Sequence, residues 1–279
     1  MTQNPYDLRP AFNLDGKVAA ITAGGGVLCS MMGEALAAVG ATVALLDRYQ
    51  EAAERAANSI TAKGGKAVGI ACDATDRASM QAVCDRLVQE YGKVDILING
   101  AGGNHPKATT SADLSFFDLE VPAIESVFRL NFTATLLTSQ VFARQMAAQK
   151  EGNILNIASM NSFRPLTRIP AYSAAKAAVV NFTQWLAVHM AQEYSPNIRV
   201  NAIAPGFFLT DQNRWLLTDK ETGEWTARGK QILGHTPMSR LGTPEDLLGV
   251  VLWLVSPASS FVTGITVPVD GGFSAYSGV

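Results

Sequence analysis

Residues 17–29 read Lys17-Val-Ala-Ala-Ile-Thr-Ala-Gly-Gly-Gly-Val-Leu-Cys29. An unbroken apolar and β-branched run up to Thr22 suits a strand buried on both faces. Three consecutive glycines then let the backbone turn tightly and approach a ligand, and from Leu28 to Val39 the apolar residues recur with helical period. A strand, a glycine turn and a helix N-terminus in that order form an anion-binding corner. The backbone at Gly24, Gly26, Val27 and Leu28 can face a pyrophosphate there. No Gly-Lys-Ser/Thr follows, which argues against the phosphate loop of a nucleotide hydrolase. Asp47 ends the next apolar run, 25 residues after Thr22, where a carboxylate can accept both ribose hydroxyls of an adenosine. The same charge repels a 2′-phosphate, so NAD is favoured over NADP, with Arg48 alongside as the feature that would favour the phosphorylated cofactor.

The pattern of this opening repeats along the chain. Apolar runs at Lys17–Thr22, Thr42–Asp47, Ala67–Ala71, Val94–Asn99, Gly152–Ala158, Ile198–Ala204 and Ile265–Val269 alternate with helical stretches at Leu28–Val39, Glu51–Lys63, Arg77–Tyr91, Glu120–Gln149, Tyr172–Glu193 and Pro244–Val255. Seven strands interleaved with six helices predict a single doubly wound, Rossmann-type α/β domain, with a seven-stranded parallel sheet and helices on both faces. Residues 1–13 precede it as an N-terminal extension. Residues 207–237, polar and carrying Trp215 and Trp225, interrupt the alternation and read as a substrate lid.

Composition narrows the function. The chain has 279 residues, 48% hydrophobic and only 16% charged, and its 22 Lys+Arg against 24 Asp+Glu leave a net charge of −2 without any long block of one sign. Such a surface offers no footprint for nucleic acid or anionic lipid, and its low charge predicts coverage by a partner subunit or by bound ligand. Cys29, Cys72 and Cys84 are widely spaced and outside any His/Cys cluster, which argues against disulfides and a zinc site. The polar start, without a signal-peptide core, predicts a cytoplasmic location. The uncharged stretch Leu247–Val269 is long enough for a bilayer, but Ser256, Pro257, Ser259 and Ser260 divide it into a buried helix, a turn and a strand.

The chemistry is signalled further along. Ser159 closes the fifth strand, and Tyr172-Ser-Ala-Ala-Lys176 opens the following helix, with Tyr172 and Lys176 on one helical face. A tyrosine acting as acid/base near neutral pH needs its phenolate favoured, which an ammonium beside it does. A serine hydroxyl close by can hold the oxygen that receives the proton.

With these residues goes a longer series: Asp73 after strand three, Asn99-Gly-Ala-Gly102 after strand four, Asn131, Asn201 through Pro205-Gly206, Thr210, and Val269-Asp-Gly-Gly272. In this order they resemble the short-chain dehydrogenase/reductase family, from Leu14 to the end. The resemblance implies that Tyr172 is the general acid/base, that Ser159 polarises the substrate oxygen, and that Lys176 tunes Tyr172 and holds the nicotinamide ribose. Asn131 would keep a water in a proton relay. Asp73 and Ala74 would meet the adenine, Asn99, Ala101 and Gly102 would line the cofactor trough, and Pro205, Gly206, Phe208 and Thr210 would seat the nicotinamide. It further implies a homotetramer, with the C-terminal residues in reach of a neighbouring subunit.

The departures are specific too. Ala23, Val27 and Cys29 stand where the family's turn has glycines, the glycines having moved to positions 24–26, and Gly100 replaces the usual second asparagine. Cys29 reads as a packing residue. Together with Gly102-Gly-Asn-His-Pro-Lys107, Ser159–Arg168 and Pro205–Arg214, this turn resembles one subgroup, the D-mannonate oxidoreductases or fructuronate reductases. The reaction implied is D-fructuronate plus NADH to D-mannonate plus NAD. A hexuronate needs a cation for its carboxylate and hydrogen-bonding groups for its hydroxyls. Arg168 and Arg214 are the candidate cations. Asn104, His105, Lys107, Asn161 and Arg164 are the candidate hydroxyl partners, His105 foremost because it follows the cofactor-lining glycines, whereas His189 and His235 read as packing or surface residues. The alternatives are another ketose, polyol or aldonate dehydrogenase of the family, such as a gluconate 5-dehydrogenase, and a non-catalytic NAD-binding sensor. The sensor should have lost Ser159, Tyr172 or Lys176, and the chain keeps all three.

Overall fold

The computed structural model describes residues 6–209, 217–219 and 222–278. Seven strands form one parallel sheet: β1 (Val18–Thr22), β2 (Thr42–Asp47), β3 (Lys66–Ala71), β4 (Ile96–Asn99), β5 (Gly152–Ile157), β6 (Ile198–Pro205) and β7 (Thr266–Val269). Their order is β3-β2-β1-β4-β5-β6-β7, so the winding reverses between β1 and β4. In open sheets of this kind the ligand crevice lies at that reversal, outside the strands' carboxyl ends.

Alternate residues of each buried strand feed opposite faces. Ala19 and Ile21 pack with Met32 and Leu36 of α1 (Val27–Ala38), Ile60 of α2 (Gln50–Ala62), and the Leu247–Val255 region. Ala20, between them, packs on the other face with Met80 and Leu87 of α3 (Arg77–Tyr91) and with Phe142 and Met190. Both faces are therefore covered, which is why the strands read as apolar runs rather than as alternation.

The helical stretch expected from 120 to 149 is three pieces: α4 (Val121–Phe128), a π turn (Arg129–Thr133) and α5 (Ala134–Gln149). Helix α6 (Pro170–Glu193) starts two residues earlier than predicted, because Pro170 fits the first turn, where its missing N–H costs nothing. The segment 207–237, read as lacking a helix, contains α7 (Ala227–His235), begun by Thr226, whose hydroxyl accepts from the Gly229 amide. After a 3₁₀ turn at Pro244–Leu247 comes α8 (Leu248–Val255). Thus Leu247–Val269 is a helix, a turn and a strand, and no helix among the described residues is long and apolar enough to cross a membrane.

The C-terminal residues fold back onto their own chain. The Phe273 ring lies 4.6 Å from His235 and 5.4 Å from Phe207, and Tyr276 lies 5.1 Å from His235. They clasp both ends of the 207–237 segment, and His235 is a packing residue, as expected.

Candidate functional site

The glycine turn is shaped by close approach. A side chain at Gly24 would fall 2.8 Å from the Leu45 backbone, and one at Gly25 would meet the Ala52 backbone at the same distance. Ala23 takes φ of +53°, a left-handed conformation that glycine adopts without cost and alanine does not. Gly26 caps α1 with no side-chain bond, and the first turn has no acidic residue, so the helix N-terminus keeps its attraction for an anion. At the end of β2, the Asp47 carboxylate accepts from the amides of Gly25 and Tyr49, both at 3.1 Å. These bonds fix it beside the turn, half-buried.

The two departures at Cys29 and Gly100 fit one another. A Cβ at position 100 would collide with Cys29 Sγ and lie 2.6 Å from the Thr22 carbonyl, so the thiol fills the space a side chain there would need. Burial pushes the Cys29 thiol up to about 12, and Cys72 and Cys84 are likewise raised by burial, to about 12 and about 11. Cys29 and Cys84 are buried and Cys72 half-buried, and thiols held neutral in this way pack rather than react. Thr22 Oγ1 accepts from the amides of Gly100 and Ala101 at 3.0 and 3.1 Å, tying the trough after β4 to the end of β1. This role for Thr22 was not apparent from sequence, although a hydroxyl at the end of an otherwise apolar strand is a signal.

Asn99 differs from expectation. Its side chain is buried within the sheet, where Nδ2 donates to Ser139 Oγ and to Asn156 Oδ1, both at 2.9 Å, and Asn156 in turn donates to Thr183. The side chain therefore knits β4, β5, α5 and α6 together, and its backbone is the part that lies along the trough. Asp73 accepts from the Thr75 amide and hydroxyl, which hold its carboxyl below the usual range, with Arg48 and Arg129 adding to the effect. Ala74 is half-buried beside it.

At Gly102 the trough reaches the catalytic candidates. A Cβ there would lie 2.8 Å from Asn131 Oδ1 and 3.1 Å from Lys176 Nζ, so only glycine leaves this passage open. Asn131 projects from the π turn, a feature that often re-aims a functional side chain. Its amide donates to the carbonyls of Gly103 (2.6 Å) and Val127 (2.8 Å) and accepts from the Gly103 amide (3.2 Å). The side chain expected to hold a water is thus engaged in clamping the Gly103 peptide.

Ser159 lies buried two residues beyond β5, where it caps the 3₁₀ turn Met160–Ser162, its hydroxyl accepting from the Asn161 amide at 3.2 Å. The Ser159 hydroxyl lies close enough to the Tyr172 phenol to favour its ionised form. Lys176 donates to the Ile157 carbonyl at 2.7 Å, with Nζ 5.8 Å from the Tyr172 ring centre. The depression expected for Tyr172 is not what the geometry produces. Burial pushes its phenol above the ordinary value, and the Ser159 hydroxyl offsets only part of this. Lys176 feels the same burial, which brings its ammonium down to about 8.

Around this centre, Gly206 donates to the Val269 carbonyl and lies against Asp270, which pins Pro205 and Gly206 to β7. Phe208 is buried, with its ring against Gly242. Thr210 and Arg214 lie outside the described residues. Among the substrate candidates, Asn104 donates to Thr109 Oγ1 at 2.8 Å, and Lys107 pairs with Glu120 at 2.7 Å. Asn161 is buried. Arg164 and Arg168 are exposed and have no ion-pair partner among the described residues. His105 is half-buried, with Nδ1 accepting from the Lys107 amide.

Sheet order, glycine turn and the Ser159, Tyr172, Lys176 grouping define an oxidoreductase of the α/β nucleotide-binding class, and residues 17–221 match the model of the short chain dehydrogenase family. The chain belongs to that family. It is 50% identical to UxuB of Bacillus subtilis (strain 168), an uncharacterised oxidoreductase, over 276 residues, which is 96% of this chain and 98% of the relative. A crystal structure from Haemophilus influenzae with NAD bound, whose proposed activity is D-mannonate oxidoreductase, is 48% identical, with a TM-score of 0.90 over 98% of this chain and all of that one. A gluconate 5-dehydrogenase from Burkholderia cenocepacia, in complex with NADP and tartrate, is 31% identical, with a TM-score of 0.85 over 96% of this chain and 99% of the other.

Proposed function

We propose that the chain is a cytoplasmic NAD-dependent sugar-acid oxidoreductase that interconverts D-fructuronate and D-mannonate. The observation that carries this reading is the convergence of a glycine-lined passage at Gly102 on Lys176, whose Nζ lies 5.8 Å from the Tyr172 ring centre, with Ser159 acting on the phenol. Likeness to the NAD-bound Haemophilus protein directs the substrate assignment.

The residues suit a dinucleotide. The uncapped α1 N-terminus fits a pyrophosphate, Asp47 fits unmodified ribose hydroxyls, and the space at Gly102 that a Cβ would close fits a nicotinamide ribose beside Lys176. NADH, when bound, supplies the hydride. Ser159 orients the ketone oxygen, and Tyr172 donates the proton to it. A phenol held above its ordinary value is protonated at neutral pH, so the resting site is set for proton donation and thus for ketone reduction. Both the protonated phenol and the Lys176 ammonium are present below about pH 8. Reduction should therefore fall as pH rises through that value.

A second reading, a gluconate 5-dehydrogenase, draws on Arg48 beside Asp47 and on the NADP held by the Burkholderia relative. The residues at 207–237 would cover the substrate in either case. Assembly as a homotetramer belongs to the same proposal. It is supported by the outer face of α6, where the exposed residues Ala174, Ala177, Asn181, Gln184, Trp185 and Val188 are all uncharged. Tyr172→Phe tests the chemistry: turnover should drop roughly 100-fold to 10,000-fold, the range for losing a general acid, while NADH binding measured by fluorescence is preserved. Wild-type turnover in that variant would refute the assignment.

A further inference from the structure

We infer that His105 is a specificity-determining residue that donates a hydrogen bond from Nε2–H to a substrate oxygen. The inference rests on the oxidoreductase reading above and identifies the neutral donor that selects an oxygen-rich substrate.

The loop carrying His105 is anchored to the catalytic elements at both ends. On one side Gly103 is clamped through both its amide and its carbonyl by Asn131, and Gly102 abuts Lys176. On the other, Ala108 is fully buried with Ala171, in a cluster against which Tyr172 packs. A third tie joins the loop to the segment before α6, where the Thr110 amide donates to the Arg168 carbonyl at 2.9 Å. His105 lies midway along this short span, between Gly102, which abuts Lys176, and Ala108, which packs with Ala171.

Its chemistry is narrowed by its neighbours. The Lys107 amide donates to Nδ1 at 3.2 Å, so the imidazole caps the 3₁₀ turn Pro106–Ala108 as an acceptor. With Nδ1 used as an acceptor, the neutral ring carries its proton on Nε2, and that N–H has no partner among the described residues. The other polar side chains of the loop are already engaged. Asn104 bonds Thr109, Thr109 bonds the His105 carbonyl at 3.0 Å, and Lys107 pairs with Glu120. His105 therefore offers an uncommitted N–H donor on a ring whose orientation the cap fixes.

Two substitutions separate this role from capping. His105→Asn keeps an acceptor at the Nδ1 position and deletes the outward donor, whereas His105→Gln extends an N–H donor to about the Nε2 position. The ketone is first chosen as the one that wild type reduces best among fructuronate, tagaturonate, 5-ketogluconate and fructose, so a wrong substrate assignment shows before any variant is made. His105→Asn should raise the KM for that ketone about 10-fold or more, the cost of leaving a substrate hydroxyl unpaired, with the KM for NADH unchanged. His105→Gln should restore most of the loss. An unchanged ketone KM in His105→Asn, or equal rises for ketone and NADH, would overturn the inference. So would a His105→Gln variant as impaired as His105→Asn; if the Asn variant does not fold, a 10-fold rise in the Gln variant is the contradicting result.

Discussion

From Gly24 to Gly102 the cofactor trough is held by backbone and by buried side chains. The Thr22 hydroxyl, the Cys29 thiol and the Asp47 carboxylate each bond or touch a peptide that a larger neighbour would displace. The loops at 103–110 and 160–169 are made differently: most of their residues are exposed or half-buried, and within 103–110 the side chains of Asn104, His105 and Thr109 bond to the loop itself. In the trough a buried frame presents backbone amides and the Asp47 carboxylate, and the ligand it fits is common to many enzymes. We place substrate choice in the loops, where a single exchange should change which substrate is read without disturbing the sheet.

The contrast predicts graded, separable effects. Asp47→Ser should weaken NADH binding about 10-fold to 100-fold by removing a charge-assisted acceptor and should narrow the preference over NADPH; cofactor titration of the purified variant measures both. Arg168→Glu should raise the KM for a hexuronate about 10-fold or more, yet change NADH affinity little; equal damage to both would mean that Arg168 supports the fold. The smallest effect lies in the turn itself. Ala23→Gly should relieve the left-handed strain at φ +53° and stabilise the fold by about 1 kcal/mol, a rise of roughly 2 °C in the thermal midpoint by calorimetry.

The same contrast explains what could be read in advance. Strands, glycine turn, Asp47 and the Tyr172–Lys176 pair are visible because each depends on neighbours within a helical turn or a βα unit. All seven predicted strands form, displaced by two residues or fewer at their ends. What escaped notice depends on distant contacts. The inward turn of Asn99 needs Ser139 and Asn156, the clamp by Asn131 needs Gly103, and the fit of Cys29 needs Gly100. The phenol of Tyr172 was expected to be depressed by Lys176. Burial acts on both groups and cannot be seen from a four-residue spacing. Lys107, a candidate for the substrate, is paired with Glu120 thirteen residues on, a contact made only when the loop closes over α4.

The most direct test is a parallel assay of NADH and NADPH oxidation by the wild-type protein with fructuronate, tagaturonate, 5-ketogluconate and fructose. The account predicts turnover of fructuronate with NADH, above the other three ketones and above NADPH. Turnover of fructose alone, or of any ketone only with NADPH, would contradict it.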